Sequence, residues 1–291
     1  MKSKMKAGLL LLTAYGFWVY ICWGIMDAFG VGLIGAVLGA IIATACVLFG
    51  IYGLKNVLIR DLNAKLASNG ILSDLNRQVA SLAYKEGFPK PDIYMLNEHA
   101  PHAASIGINM KTAAIFVTKG LVETLNEDEL FAYVTHEVAH IKRGDHLAAD
   151  IGAGLAYVIL YPTRMFDGIN DGENIAKLLS LLIFGPFAAI FVQLAAYRAL
   201  DYDADLMAAE IHGQGFSLAS ALNSGQKDLR KHPIKVPHYC AHLFTVEAIA
   251  TGTQAGALFV THVPTPKRIA RLKRLAMKTC KQLVQKNKGI T

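Results

Sequence analysis

The chain has 291 residues, of which 53% are hydrophobic and only 18% charged, and its mean hydropathy is +0.35. That is too little charge for an ordinary water-soluble domain, so membrane segments are expected. The formal net charge of +7 then falls on the remaining part, where an anionic membrane surface is a better partner than nucleic acid.

Residues 1–6 form a basic tip with Lys2, Lys4 and Lys6, and residues 7–26 are an uncharged, mostly apolar run. A hydrocarbon core takes roughly 20 helical residues, so this run can cross it. A second uncharged run, 29–54, follows a turn around Asp27 and makes a transmembrane hairpin rather than a cleaved signal peptide. Gly35 and Gly39 give the second run a small-residue face, suited either to close helix approach or simply to lipid. Lysines and arginines flank the hairpin on both sides (Lys55, Arg60 and Lys65 follow it) and are absent from the turn. The positive-inside rule therefore places both flanks in the cytoplasm. Cys22 and Cys46 lie inside these apolar runs, Cys240 and Cys280 stand alone, and no C-x-x-C occurs. This is no disulfide framework, and it suits a reducing compartment.

Ser73 and Asp74 can start a helix reaching about Glu86, ended by Gly87-Phe88-Pro89. Residues 92–96, 103–107 and 113–118 are short β-prone runs, and an edge strand among them could hold an extended peptide by main-chain hydrogen bonds. Asn126 followed by Glu127-Asp128-Glu129 is a capping-box helix start. That helix carries His136-Glu137-Val138-Ala139-His140, an H-E-x-x-H motif. Residues four apart share a helix face, so His136 and His140 can present two imidazoles to one metal ion, with Glu137 as base for a water.

Residues 151–161 are uncharged but short and reach spanning length only with 147–150. We read them as a third span, the alternative being a hairpin buried in the water-soluble part. Residues 178–197 make a fourth span, kinked at Pro186. A catalytic zinc usually takes three protein ligands, so a further carboxylate or histidine is expected downstream. In a helix over 197–205, Asp201 and Asp205 share a face while Asp203 points away. One of the two can bind metal and the other can hold the free ring nitrogen of a histidine ligand, with Arg198 nearby. Cys240 near His238 and His242 reads as a histidine-bearing loop rather than a second metal site. From Arg268 onward basic and apolar residues alternate as in an amphipathic terminal helix, either packed on the domain with a solvated cationic face or resting on lipid. No phosphate loop or nucleic-acid module is present, so no nucleic-acid partner is expected.

The chain resembles the HtpX-like membrane zinc metallopeptidases, relatives of the CAAX prenyl proteases. The resemblance runs through Phe116-Val117-Thr118-Lys119-Gly120-Leu121, Asp128-Glu129-Leu130, the H-E-V-A-H helix and the later apolar pair. It continues through the S-R-x-x-E-x-x-A-D helix, where Arg198, Ala204 and Asp205 match, Tyr197 replaces Ser and Asp201 replaces the zinc-ligand Glu. It ends with Ala241-His242-Leu243-Phe244 and Thr261-His262-Val263-Pro264 followed by Lys267-Arg268-Ile269, Val263 standing for a Pro. The resemblance implies an α+β membrane protein, mainly α-helical, with four transmembrane helices and a cytoplasmic zincin-like domain holding a small β-sheet. Its parts would be a hairpin (1–54), a first catalytic part (55–146), a second hairpin (147–197) and a second catalytic part (198–291). It implies one zinc ion per chain on His136, His140 and Asp201, Glu137 as base, Asp205 behind a ligand histidine, and His262 and Arg198 stabilising the oxyanion. Asp is shorter than Glu by one methylene, about 1.5 Å of reach. A zinc-binding scaffold or pseudo-protease is therefore the alternative to the enzyme. The implied setting is the bacterial inner membrane, with lipid, unfolded or damaged membrane proteins as substrates, and other quality-control proteins as partners.

Overall fold

The computed structural model describes residues 2–67, 71–107, 109–166, 175–195, 199–213, 215–229, 236–237, 239–244 and 263–288. The chain opens with α1 (Lys2–Asp27) and α2 (Gly32–Tyr52), antiparallel and joined at Gly30, whose φ of +76° makes the reversal. The glycine face of α2 meets α1 backbone. A Cβ on Gly35 would lie 2.3 Å from the Cys22 carbonyl oxygen, and one on Gly39 2.5 Å from that of Trp18. Close helix approach is thus the use of this stripe, and any side chain there would push the pair apart.

A short α3 (Leu54–Asp61) leads to β1 (Lys65–Leu66), then α4 (Ile71–Lys85), β2 (Asp92–Leu96), β3 (Ala103–Ile106) and β4 (Ala114–Thr118). The helix expected from Ser73 thus begins by Ile71, and β1, two residues long, carried no readable alternation. The sheet order is β1-β2-β4-β3, with β2 parallel to β4 and the other pairs antiparallel. β3 is an edge strand, as expected, but Phe244 bridges Ala104 on its outer side.

Strand alternation makes this sheet a partition. Ala114 and Phe116 of β4, Leu96 of β2, and Ala104 and Ile106 of β3 join one apolar core with Leu10, Cys46, Leu58 and Phe191. Ile115 and Val117, Ile93 and Ala103 point the other way, into a second core with Val79, Tyr133, Val138 and Leu272. The period-2 geometry of a strand lets five residues serve both cores.

The second core is built by α5 (Lys119–Thr124), α6 (Glu127–Arg143), α9 (Ala199–His212), α10 (Gly215–Leu229) and α11 (Thr265–Lys288) on that face of the sheet. Between α6 and α9 the chain forms α7 (His146–Arg164) and α8 (Ile175–Ala195). Among the described residues, three helices are long and apolar enough to cross a membrane: Ala7–Asp27, Gly32–Tyr52 and Ile175–Ala195, of 21 residues each. The expected third span, α7, is not among them. It is an interior helix on which only Tyr161 is exposed, packed against α1, α2 and α8. Its small residues allow this: a Cβ on Gly154 would lie 2.2 Å from the Gly50 Cα, and one on Gly152 2.4 Å from the Ala195 Cβ. Both its ends are tied to segments outside the three apolar helices, Asp150 to Gly107 and Arg164 to Asp61.

Candidate active site

α6 starts where its sequence says it should. The Asn126 side chain accepts from the Glu129 amide at 2.9 Å, and the Glu129 carboxylate accepts from the Asn126 amide at 3.3 Å, closing the capping box. The helix stops at Gly144, left-handed at φ +66°. Leu130, Val134, Val138 and Ile141 bury its apolar stripe, which turns His136, Glu137 and His140 inward against β3 and α9.

The His136 and His140 rings stand 4.7 Å apart and nearly perpendicular. Each Nδ1 faces a carboxylate: that of His136 lies 3.0 Å from Asp205, that of His140 3.5 Å from Asp145. Such a bond fixes the proton on Nδ1 and leaves Nε2 as an acceptor, the state a metal needs; on His136 that lone pair faces the Arg268 guanidinium, which a metal would have to displace. The Glu137 carboxylate accepts a short hydrogen bond from the Ser105 hydroxyl of β3. Ser105 lies on the same face as Ala103, so strand parity aims it at α6.

On α9, Asp201 and Asp205 are buried and share a face, whereas Asp203 is exposed and pairs with Arg143 at 3.0 Å. Asp201 accepts from the Val263 amide at 3.2 Å. Arg268, to which the sequence reading assigned no role at the site, sits here as well. It is wholly buried, gripping Asp205 through Nε at 2.9 Å and Nη2 at 2.7 Å, and Nη2 also donates to the His136 Nε2 at 3.1 Å. Reading α11 as carrying all its cations on an outer face was therefore wrong at this position. The signal was in the spacing, since Thr265, Arg268 and Leu272, all buried, mark one helix stripe. His262 and Arg198 lie outside the described residues, as do Tyr197 and His238.

The electrostatics follow from burial and neighbours. Burial would raise the Asp205 carboxyl, but Arg268 and His136 outweigh it and hold it down at about 2. Burial and the Arg268 charge lower His136. Burial pulls His140 down as well, yet its bond to Asp145 and the charges of Glu137 and Asp201 leave it raised overall. The pocket is thus rich in fixed negative charge and already accommodates one buried cation.

Among the described residues no three His, Cys, Asp or Glu side chains are gathered at ligand distances. The donor chemistry nonetheless fits zinc: two imidazoles with anchored Nδ1 atoms, a buried carboxylate on Asp201 whose charge acts on His140, and an acidic surround.

The description "Peptidase family M48" matches residues 72–276. A protease HtpX homolog of Pyrococcus furiosus is 35% identical over 283 residues, covering 90% of this chain and 97% of that protein. The protease HtpX homolog of Salinibacter ruber is 33% identical over 225 residues, covering 76% of this chain and 81% of its own. The crystal structure of Ste24p from S. mikatae aligns with a TM-score of 0.47 and 15% identity, over 92% of this chain and 65% of that one.

Proposed function

The chain belongs to peptidase family M48, and we propose that it is an integral membrane zinc endopeptidase that cleaves unfolded or damaged membrane proteins on the cytoplasmic side. His136, His140 and Asp201 hold the ion. When bound, zinc lowers the pKa of a water and polarises the scissile carbonyl. Glu137 takes the proton of the attacking water and returns it to the leaving amine. Ser105 fixes the carboxylate of Glu137 for that exchange, and Asp205 and Asp145 hold the two rings. His262 and Arg198 supply donors to the developing oxyanion. The extended substrate lies along the outer edge of β3, whose neighbour there is Phe244.

The single observation that carries this reading is the pair of histidines on α6, each with its Nδ1 on its own carboxylate and with the base between them held by the edge strand. The substrate class rests on the HtpX resemblance and on the sheet face that carries Leu96, Ala104 and Phe116, which lies against the apolar helices. The orientation rests on the Lys and Arg flanks of the hairpin.

Glu137→Gln is expected to lower zinc-dependent cleavage of casein in detergent by at least about a hundredfold while leaving metal content unchanged. Equal cleavage by the two proteins would sink the mechanism. Asp201 keeps the scaffold alternative in view. A wild-type chain that binds no zinc, and an Asp201→Glu variant that gains both zinc and activity, would favour it.

A further inference from the structure

Beside the site, and separate from it, lies a cleft of about 280 Å³ where α2 ends, α3 begins and β3 meets α7. Its walls include Ile51 and Leu54, its charged groups are Lys55, Lys111 and Asp150, and Gly107 borders it. Asp150 is only 3% exposed. One of its carboxylate oxygens accepts from the Gly107 amide at 2.8 Å, and the other, also buried, has no hydrogen-bond partner among the described residues. A buried carboxylate oxygen without a donor is costly, and a ligand that brings N–H groups would relieve it. Lys111 is exposed, and Lys55 is half-buried and reaches Asp92 at 2.9 Å. A lone cation would have to settle among these two lysines. A ligand carrying both an ammonium and a phosphate meets the acid and the lysines together.

The cleft's place in the fold says where such a ligand comes from. It opens at the last turn of an apolar 21-residue helix, beside an exposed Tyr52, the kind of residue that sits at the headgroup level of a bilayer. We propose that this cleft binds the headgroup of a phospholipid bearing a primary amine, such as phosphatidylethanolamine, with the ammonium on Asp150, the phosphate on Lys55 and Lys111, and the glycerol end along Ile51 and Leu54. A primary ammonium has three N–H donors and a quaternary one has none, so the site discriminates between two zwitterionic lipids of equal charge. The inference does not depend on peptidase chemistry.

The test is native mass spectrometry of the full chain released from micelles containing equal amounts of dioleoyl phosphatidylethanolamine, phosphatidylcholine and phosphatidylglycerol. The wild type is expected to retain phosphatidylethanolamine about tenfold over phosphatidylcholine, the effect of one charge-assisted hydrogen bond. Asp150→Asn is expected to abolish the preference. Lys111→Glu, at an exposed position that leaves folding intact, is expected to lower retention of every phospholipid. Equal retention of the two zwitterions by the wild type, or a preference for phosphatidylglycerol, would overturn the proposal without recourse to any variant. So would an unchanged lipid profile in Lys111→Glu, or a preference surviving in Asp150→Asn. If glycerophosphoethanolamine displaced the lipid at equal concentration, the site would belong to a soluble amine phosphate and the lipid assignment would fail.

Discussion

Two knots of buried charge hold this molecule, and they are built differently. At the candidate active site Asp205 and Arg268 are both fully enclosed, paired through a two-point grip, and the same pair touches His136. Where the chain leaves the apolar hairpin, Asp61 is half-buried, with its side chain 5% exposed, and its partners are partly wet. Arg164 binds it at 2.6 Å with its side chain 31% exposed, Arg60 at 3.2 Å with 68% exposed, and the Tyr239 hydroxyl donates at 3.0 Å. The first knot joins α9, α11 and α6 around the chemistry; the second joins α3, the end of α7 and the segment before Phe244. A dry pair gives fixed geometry at the cost of fragility, whereas a knot with water at its rim tolerates the loss of a member.

That contrast breaks most sharply at Arg268. Arg268→Leu leaves Asp205 charged and enclosed with only the His136 ring facing it, and thermal unfolding in detergent is expected to show a loss of about 3–5 kcal/mol. Acid should find the same weak point. Asp205 is depressed below the ordinary carboxylate value of 3.8, so its contribution is whole above that value and lost as pH falls towards about 2. Unfolding monitored across that interval should therefore steepen in the wild type and flatten in Asp205→Asn. A smaller effect is expected at the other knot. In Asp61→Ala the stranded Arg164 can turn to solvent, and a cost of about 1–3 kcal/mol is expected. If Asp61→Ala proved as damaging as Arg268→Leu, the distinction between the knots would fail. The least effect is expected at Asn126→Ala, about 1 kcal/mol, read from the same melting curves, because only the exposed cap of α6 is lost.

What the sequence disclosed followed from how far each signal reaches along the chain. The apolar helices, the capping box of α6 and three of the four strands were legible because each is written in contiguous residues. The glycine face of α2 was legible as a pattern, but its partner was not, since only the fold brings Trp18 and Cys22 against it. The surroundings of α7 were not legible, because a buried helix and a lipid-facing one are both apolar, and local composition cannot say which neighbour covers them. Ser105, Asp145 and Arg268 went unread for a related reason. A polar residue on a buried face is noticed only when its partner is known; Ser105 and Arg268 find theirs 32 and 132 positions away, and Asp145 finds His140 only because the chain turns back at Gly144. The acidic helix at α9 was readable because its two aspartates sit one turn apart on the same side.

The two-faced sheet has a practical corollary for anyone wishing to handle the hydrolytic half in water. Trimming away α1, α2, α7 and α8 would not release a clean soluble domain. It would bare Leu96, Ala104, Ile106, Ala114 and Phe116 as one contiguous greasy surface on a four-stranded sheet whose edge strand is already thinly guarded. Such a fragment would stick to itself, to detergent or to chaperones, and weak activity measured on it would report aggregation rather than catalysis.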